Sequence, residues 1–299
     1  MTSDRRTFLF ALYQGLQPKP VPAVQAVPQA HHQLSFEYQG RELTRYHFAP
    51  DQERPFWFPI TGPSGRPVTR MGHPQDVRGH SHHTSIWISH RQVNDVNFWE
   101  DGTGARIVHL FNEKITDGDR RASLVARHVW IAPGGTKLLD DLRTIEVEVL
   151  PNQEWLLRLE LQLTPAGGAV TLGKTPFGLI GVRVAKTMGV RDGGGRVLNS
   201  EGAINEAGCL WKRARWVDYA GWVADNVAEG VALFDHPSNP GYPSYFHVRD
   251  DGWMGCSLTY AEPRLLGAGQ TLRLRYALYV HREAPGAGKI DAAWNRWTE

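Results

Sequence analysis

The chain has 299 residues, room for two average domains or one large all-β domain. Its 33 basic and 31 acidic residues leave a formal charge of +2 and form no Lys/Arg run, so nothing in the charge points to nucleic acid or another polyanion. No apolar run approaches the roughly 20 residues of a membrane helix, and two cysteines, Cys209 and Cys256, are too few for a disulfide framework or a Cys-rich zinc site, leaving room for one bridge.

Residues 1–32 read as an N-terminal extension or a degenerate export signal. Arg5-Arg6 followed by Thr7-Phe8-Leu9 resembles a twin-arginine start, but the apolar stretch at 8–12 is about five residues where a signal needs roughly 7–15. Location is therefore open between cytoplasm and periplasm. Residues 16–32, rich in Pro, Gln, Val and Ala, have no clear period and read as a linker or arm.

Residues 33–299 read as a single all-β domain, a large antiparallel β-sandwich with a short C-terminal helix. The first informative stretch is GHSHHTSIWISH, 79–90, with His73 just upstream. Extended backbone would put His80 and His82 on one face and turn His83 toward the face of Ser85 and Trp87, with Ile86 and Ile88 in the core and His90 at the strand end. A His-x-His pair is a plausible two-ligand metal element, so His80 and His82 are the metal candidates. The carboxylate that completes the cupin motif is missing, because Ile86, Trp87 and Ile88 occupy its place. The following RQVNDVNFWE, 91–100, sets Asn94, Asn97, Trp99 and Glu100 side by side. Amides beside an indole suit a sugar, whose hydroxyls need both donors and acceptors, whereas Asn94-Asp95 also reads as an ordinary turn.

Segments 122–132, 143–150, 179–185 and 230–236 are strand candidates. The clearest strands are WLLRLELQL, 155–163, and TLRLRYALYVH, 271–281, where Leu157, Leu159, Leu161 and Leu163 alternate with Arg158, Glu160 and Gln162. GPSG, PGG, PAGG, DGGG and PSNPG punctuate the runs. Between them, GCLWKRARWVDYAG, 208–221, mixes bases with aromatics in a run too short for nucleic acid. In 234–255, Asp235-His236 precedes a Pro-rich turn and His247-x-Arg249-Asp250 follows it. No Gly-x-Ser-x-Gly elbow, phosphate loop or dinucleotide fingerprint is present. At the C-terminus Ile290, Trp294 and Trp297 fall at i, i+4 and i+7, one helical face.

The segments RPFWFPITGPSGRPVTR, GHSHHTSIWISH with VNDVNFWE, TPFGLIGVRVA, KRARWVDYAG, and FDHPSNP followed by FHVRDDGW resemble a bacterial family often labelled "methane oxygenase PmoA" or a domain of unknown function. The likeness runs from about residue 54 to 281. This chain has no spanning segment, unlike the multi-span subunit of the membrane methane monooxygenase. The resemblance implies a fold like the galactose-mutarotase supersandwich and a link to sugar oxidoreductases and glycan degradation. His80, His82, His83, His90, Arg183, Asp235, His236, His247 and Arg249 match the common pattern. Gly79, Phe177 and Asp251 depart from it, the first two where many members carry an acid.

These readings converge on the expectation of an enzyme acting on a small-molecule carbohydrate, a glycoside or keto-sugar, by proton transfer: hydrolysis, elimination or epimerisation. His80, His82, His83, His236, His247 and Arg249 are the catalytic candidates, with an imidazole of the first three working against His236 or His247. Trp87, His90, Asn94, Asn97, Trp99, Glu100, Arg183, Glu206, Lys212 and Asp235 are the substrate-binding candidates. Two alternatives stand beside this reading: a metal-dependent enzyme with histidines holding Fe, Mn or Zn, and a non-catalytic carbohydrate-binding sandwich. No cofactor is required by the sequence beyond that possible divalent metal, no nucleic-acid or membrane partner is expected, and oligomeric state is open.

Overall fold

The computed structural model describes residues 20–72 and 80–299. The readings of Arg5-Arg6 and of His73 and Gly79 lie outside the described residues. In chain order the strands are β1 (Val24–Gln29), β2 (Gln33–Tyr38), β3 (Arg41–His47), β4 (Phe56–Ile60), β5 (Ile86–His90), β6 (Arg106–Thr116), β7 (Arg121–Ile131), β8 (Lys137–Val149) and β9 (Trp155–Pro165). They continue with β10 (Val170–Leu172), β11 (Gly178–Arg183), β12 (Arg196–Asn199), β13 (Lys212–Arg213), β14 (Trp216–Ala224), β15 (Val227–Asp235), β16 (Tyr245–Arg249), β17 (Trp253–Ser257), β18 (Arg264–Leu266) and β19 (Leu272–Arg282).

Two antiparallel sheets carry the fold. One has nine strands in the order β1-β2-β3-β4-β5-β11-β17-β16-β13, the other eight in the order β12-β14-β15-β19-β9-β8-β7-β6, and β10 and β18 pair separately. Period-two patterning explains the layering. On β9, Leu157, Leu159, Leu161 and Leu163 are buried between the sheets while Glu160 is exposed, and on β19 Leu272, Leu274 and Tyr276 are buried while Arg273 and Arg275 are exposed. The main core is built from such inward rows of both sheets, among them Ile86, Ile88, Ile180, Val182, Val248 and Met254 from the nine-stranded one.

Polar bolts cross the core. Tyr46 on β3 meets His128 Nε2 on β7 at 2.6 Å, and Trp155 Nε1 donates to the Thr61 carbonyl at 2.9 Å. Arg143 and Asp141, both buried, pair at 2.7 Å within β8, and Trp130 Nε1 donates to the same carboxylate. Pairing and hydrogen bonding are what make buried charge tolerable.

The C-terminal helix Ala287–Thr298 lies on the outer face of the eight-stranded sheet. Ile290, Ala293 and Trp294 pack on Leu156, Trp216, Phe234, Ala277 and Tyr279, as the i, i+4 spacing predicts.

Two local expectations need correcting, and the open question of a cysteine bridge closes. Residues 24–29, assigned to the extension, form β1, whose Val24 is fully buried. Pro28 within it and Pro22 just before it hid it, yet β1 is an edge strand, where proline is tolerated. His80–His83 is not a strand rim: the chain turns there, with His83 N–H donating to the His80 carbonyl at 3.1 Å, and β5 begins only at Ile86. Cys209 and Cys256 are both buried and unpaired.

Candidate active site

The site is built on the outer face of the nine-stranded sheet, where β5, β11, β17 and β16 lie side by side. The residues that alternate with the core rows of these strands point outward: Trp87 from β5, Gly181 and Arg183 from β11, Trp253 and Gly255 from β17, His247 and Arg249 from β16. Gly181 makes the floor possible. A Cβ there would lie 2.7 Å from Trp253 Cη2 and 2.8 Å from Trp87 Cζ2, so only glycine lets both indoles cross the strand. Trp87, Trp253, Trp99 and Phe56 form a separate aromatic cluster on this face, with Phe177 packed against it.

Above the floor sits a cavity of about 350 Å³ lined by His80, His82, His83, Trp99, Glu100, Phe177, Arg183, His247, Arg249, Asp251 and Trp253. The turn at 80–83 stacks His80 on His83, centroids 4.6 Å apart and planes within 10°, and His83 in turn stacks on Trp253 at 5.0 Å. His82 stands edge-on to His83 at 4.4 Å. His247 faces Phe177 at 5.4 Å and is overlaid by Trp211 at 4.2 Å. Trp211 holds that position with φ +56, an unfavourable conformation for a bulky residue, so the surroundings over-determine it.

The loop that brings Trp99 and Glu100 is pinned from below. Arg54 donates to the Phe98 and Glu100 carbonyls and pairs with Asp101 at 2.8 Å. Asn97 Oδ1 accepts from the Trp99 and Glu100 amides at 2.9 and 3.2 Å. On the opposite wall, Arg183 pairs with Asp251 at 2.8 Å and Arg249 with Glu206 at 3.1 Å.

The electrostatics favour neutral imidazoles. Burial, then the nearby Arg54 charge, lowers His82 to about 4, and burial, then Arg249, lowers His247 to about 4. Burial, then His82 and Arg183, pushes His83 far below the ordinary histidine range. At neutral pH these rings hold a lone pair and an N–H each, so they can accept or donate a hydrogen bond or take a proton. His83 Nδ1, His247 Nδ1 and the indole N–H groups of Trp87, Trp99 and Trp253 are buried with no hydrogen-bond partner among the described residues. Buried polar atoms in that state are uncommon, and these five lie at or beneath one cavity.

The sequence candidates thus divide. His80, His82, His83, His247, Arg249, Trp99, Glu100 and Arg183 come together. Trp87 lies beneath them as floor. His90 is fully buried, with Nε2 against Thr259 Oγ1 at 2.9 Å and Nδ1 accepting from the Gln92 amide, and it is not among the residues lining this cavity. Asn94 is a turn residue with φ +48 whose Oδ1 accepts from Thr171 N. Asn97 caps the loop, and Glu206 holds Arg249 and the Asp250 amide. Lys212 is exposed on edge strand β13. The expectation that His236 shares this cleft is corrected. It follows β15 in the other sheet, where its Nδ1 meets Ser238 Oγ at 2.8 Å and its ring stands edge-on to Trp297. Its neighbour Asp235, raised by burial to about 6, anchors Asn239 and the Ser244 amide.

Phe177, Asp251 and Trp253 were missed. Trp253 alternates with core Met254 just as Trp87 does with Ile86 and Ile88, and that parity was the available signal.

A metal would need converging in-plane lone pairs. The candidate pair, His80 and His82, has ring centroids 6.4 Å apart with planes at 70°, and among the described residues no group of three or more His, Cys, Asp or Glu is placed to hold an ion. The donor set as it stands fits a hydrogen-bonded organic ligand better than a metal, so no step below is routed through one.

Fold and site together define a two-sheet antiparallel β protein with an aromatic, histidine-lined pocket on the outer face of its larger sheet. Residues 33–295 match the model of a family of unknown function, DUF6807, and the chain belongs to that family. No curated protein matches it. Solved structures similar to it include a GalM/aldose epimerase homologue from C. elegans, at 6% identity and TM-score 0.34, covering 88% of this chain and 100% of that one. Another is a putative kojibiose phosphorylase from the human microbiome, at 8% identity and TM-score 0.33, covering 94% of this chain and 36% of that one. Among the described residues no helix is long and apolar enough to cross a membrane.

Proposed function

We propose that the pocket binds a carbohydrate, a glycoside or keto-sugar, and acts on it by proton transfer. The observation that carries this reading is the gathering, at one cavity of about 350 Å³, of aromatic faces with buried imidazole and indole nitrogens that no group among the described residues satisfies. Trp99, Trp253 and Phe177 supply apolar faces for the C–H side of a sugar ring. The unpartnered nitrogens, with Glu100 and Asp251, supply donors and acceptors for hydroxyls. Much of this lining comes from the segments that resemble the family carrying the PmoA label.

In the chemical step a neutral imidazole, His82 or His247, takes a proton from carbon beside a carbonyl or from a hydroxyl. The other neutral imidazole donates its N–H to the oxygen on which charge develops, with Arg183 or Arg249 stabilising that charge, and the ring that took the proton returns it to carbon or oxygen of the product. Burial keeps both rings neutral in the free protein, so each has a free lone pair at neutral pH without first losing a proton.

The test is incubation of the protein in D₂O with a panel of reducing sugars, glycosides and 3-keto-glycosides, followed by NMR. Solvent deuterium at a sugar carbon, anomeric conversion or cleavage is expected, and H82Q and H247Q should each lose it. Saccharide binding without any turnover would replace this reading by the non-catalytic one. Activity removed by a chelator and restored by one divalent metal would replace it by the metal-dependent one.

A further inference from the structure

Of the eleven tryptophans, one is exposed: Trp222, at 49%. It sits near the end of β14, beside the bulge that interrupts pairing with β15 between Trp222 and Ala224. It lines a groove of about 600 Å³, separate from the histidine pocket, with Thr187, Asp192, Gly193, Asp225 and Asn226. We propose that this groove is a second carbohydrate site that holds a run of neutral sugar residues on the Trp222 indole, an inference that rests on the carbohydrate reading of the central pocket.

The groove has a fixed wall. Residues 187–195 fold back on themselves, and a Cβ on Gly193 or Gly195 would lie 1.8 Å from the Thr187 or Met188 carbonyl oxygen. A Cβ on Gly221 would lie 2.7 Å from Met188 Cα, so glycine lets this segment close against β14. The Val190 amide donates to Tyr219 Oη on β14 at 3.1 Å, and the Arg191 amide to the Asp250 carbonyl at 3.0 Å. Asp250 precedes Asp251, which lines the central pocket, so the turn that holds the 187–195 segment also borders that pocket.

The chemistry selects the ligand. An exposed indole offers a face for the C–H side of a sugar ring. Around it, carboxylates, an amide and a hydroxyl supply acceptors and donors for hydroxyl groups. Asp192 and Asp225 place negative charge there, offset by Lys186, 3.9 Å from Asp192, which disfavours acidic polymers. The volume lies within the roughly 300–1,000 Å³ of ligand sites.

Native affinity electrophoresis of the full chain tests this, in gels containing hydroxyethyl cellulose, xyloglucan, galactomannan, pullulan or polygalacturonate. At least one neutral polysaccharide should retard the protein and polygalacturonate should not. W222A should weaken retardation at least tenfold and W222F less, H247Q should keep it, and W222A should leave turnover of small substrates unchanged. If W222A does not melt like the parent, the D192A/D225A double variant takes its place.

Absence of retardation by any neutral polymer overturns the proposal. So does equal retardation of parent and variants, or equal retardation by polygalacturonate. A W222A change in size on gel filtration without a change in retardation assigns the groove to contact between copies instead and also overturns it. Turnover of small saccharides with no retardation sinks this inference alone. Retardation lost in W222A without turnover of any saccharide keeps the groove and sinks the catalytic reading.

Discussion

The outer faces of the two sheets carry similar residues and treat them differently. On the nine-stranded sheet, His247 sits among Phe177, Trp211 and Trp253 with its Nδ1 unpartnered. On the eight-stranded sheet, His236 opens onto Arg121, Glu146, Arg158, Glu160 and Arg275, whose charges are largely paired with one another. Both were equally good candidates from local sequence, one after Asp235 and the other before Arg249. The difference teaches that a histidine becomes a chemical group when buried beside unsatisfied polar atoms, and remains a surface group when its neighbours already satisfy one another.

The largest effect that would test this contrast is on rate. H82Q and H247Q should each lower turnover in the deuterium assay by roughly 10²–10⁴-fold, the range for loss of an acid–base group. H236Q should stay within a few-fold of the parent. Comparable losses from H236Q and H247Q would remove the distinction between the faces.

Acid should expose the same contrast. An ordinary imidazole titrates near 6.5, and His82 and His247, like fully buried His90 and half-buried His109, are lowered to about 4, by burial first. Between those values the unfolded chain binds more protons than the folded one. Stability from these groups is therefore fully present above about pH 6.5 and is lost as pH falls toward 4. The melting temperature should be flat from pH 8 to 7 and fall steeply below 6.5. H247Q should flatten part of that fall, and H236Q, at a less buried ring, should flatten it less. A melting temperature constant down to pH 4.5 would contradict the buried neutral state.

On the helix face the prediction concerns stability alone. Trp294 packs on the eight-stranded sheet and its Nε1 donates to the Asp235 carbonyl at 3.0 Å. W294A should cost about 3–5 kcal/mol in chemical denaturation, as expected for truncating a buried indole. Turnover by the remaining folded protein should be unchanged, because nothing from that helix lines the histidine pocket.

Much of this architecture was legible because period-two burial writes itself into sequence. The Leu157–Leu163 row, the β19 row and the Ile290/Trp294 face all sit where patterning put them. The pocket was legible where chemistry-bearing residues cluster in the chain, at 80–83, 99–100 and 247–249. It was not legible where strand pairing creates it. Trp253 and Arg183 stand opposite each other through the β11–β17 register, and Trp87 faces Gly181 through β5–β11, juxtapositions of residues far apart in the chain. Sheet membership separates His236 from His247, and eleven residues of local sequence do not encode it. Asn94 and Asn97 misled for another reason: amides that suit sugar hydroxyls suit backbone turns equally well.

The smallest expected effect is the one that best separates ligand chemistry from framework. Glu100 lines the pocket and its carboxylate pairs with Arg91 at 3.2 Å, with both side chains more than two-fifths exposed. An exposed pair of that kind contributes less than about 1 kcal/mol, so E100Q should leave the denaturation midpoint almost unmoved. The loop itself is held by Arg54 and Asn97 through backbone groups, which the substitution does not touch. If Glu100 accepts a hydrogen bond from a sugar hydroxyl, the neutral amide weakens that bond by about 1 kcal/mol, and calorimetric affinity should fall several-fold. Affinity unchanged with stability unchanged would assign Glu100 to the solvated rim and leave recognition to the imidazole and indole nitrogens.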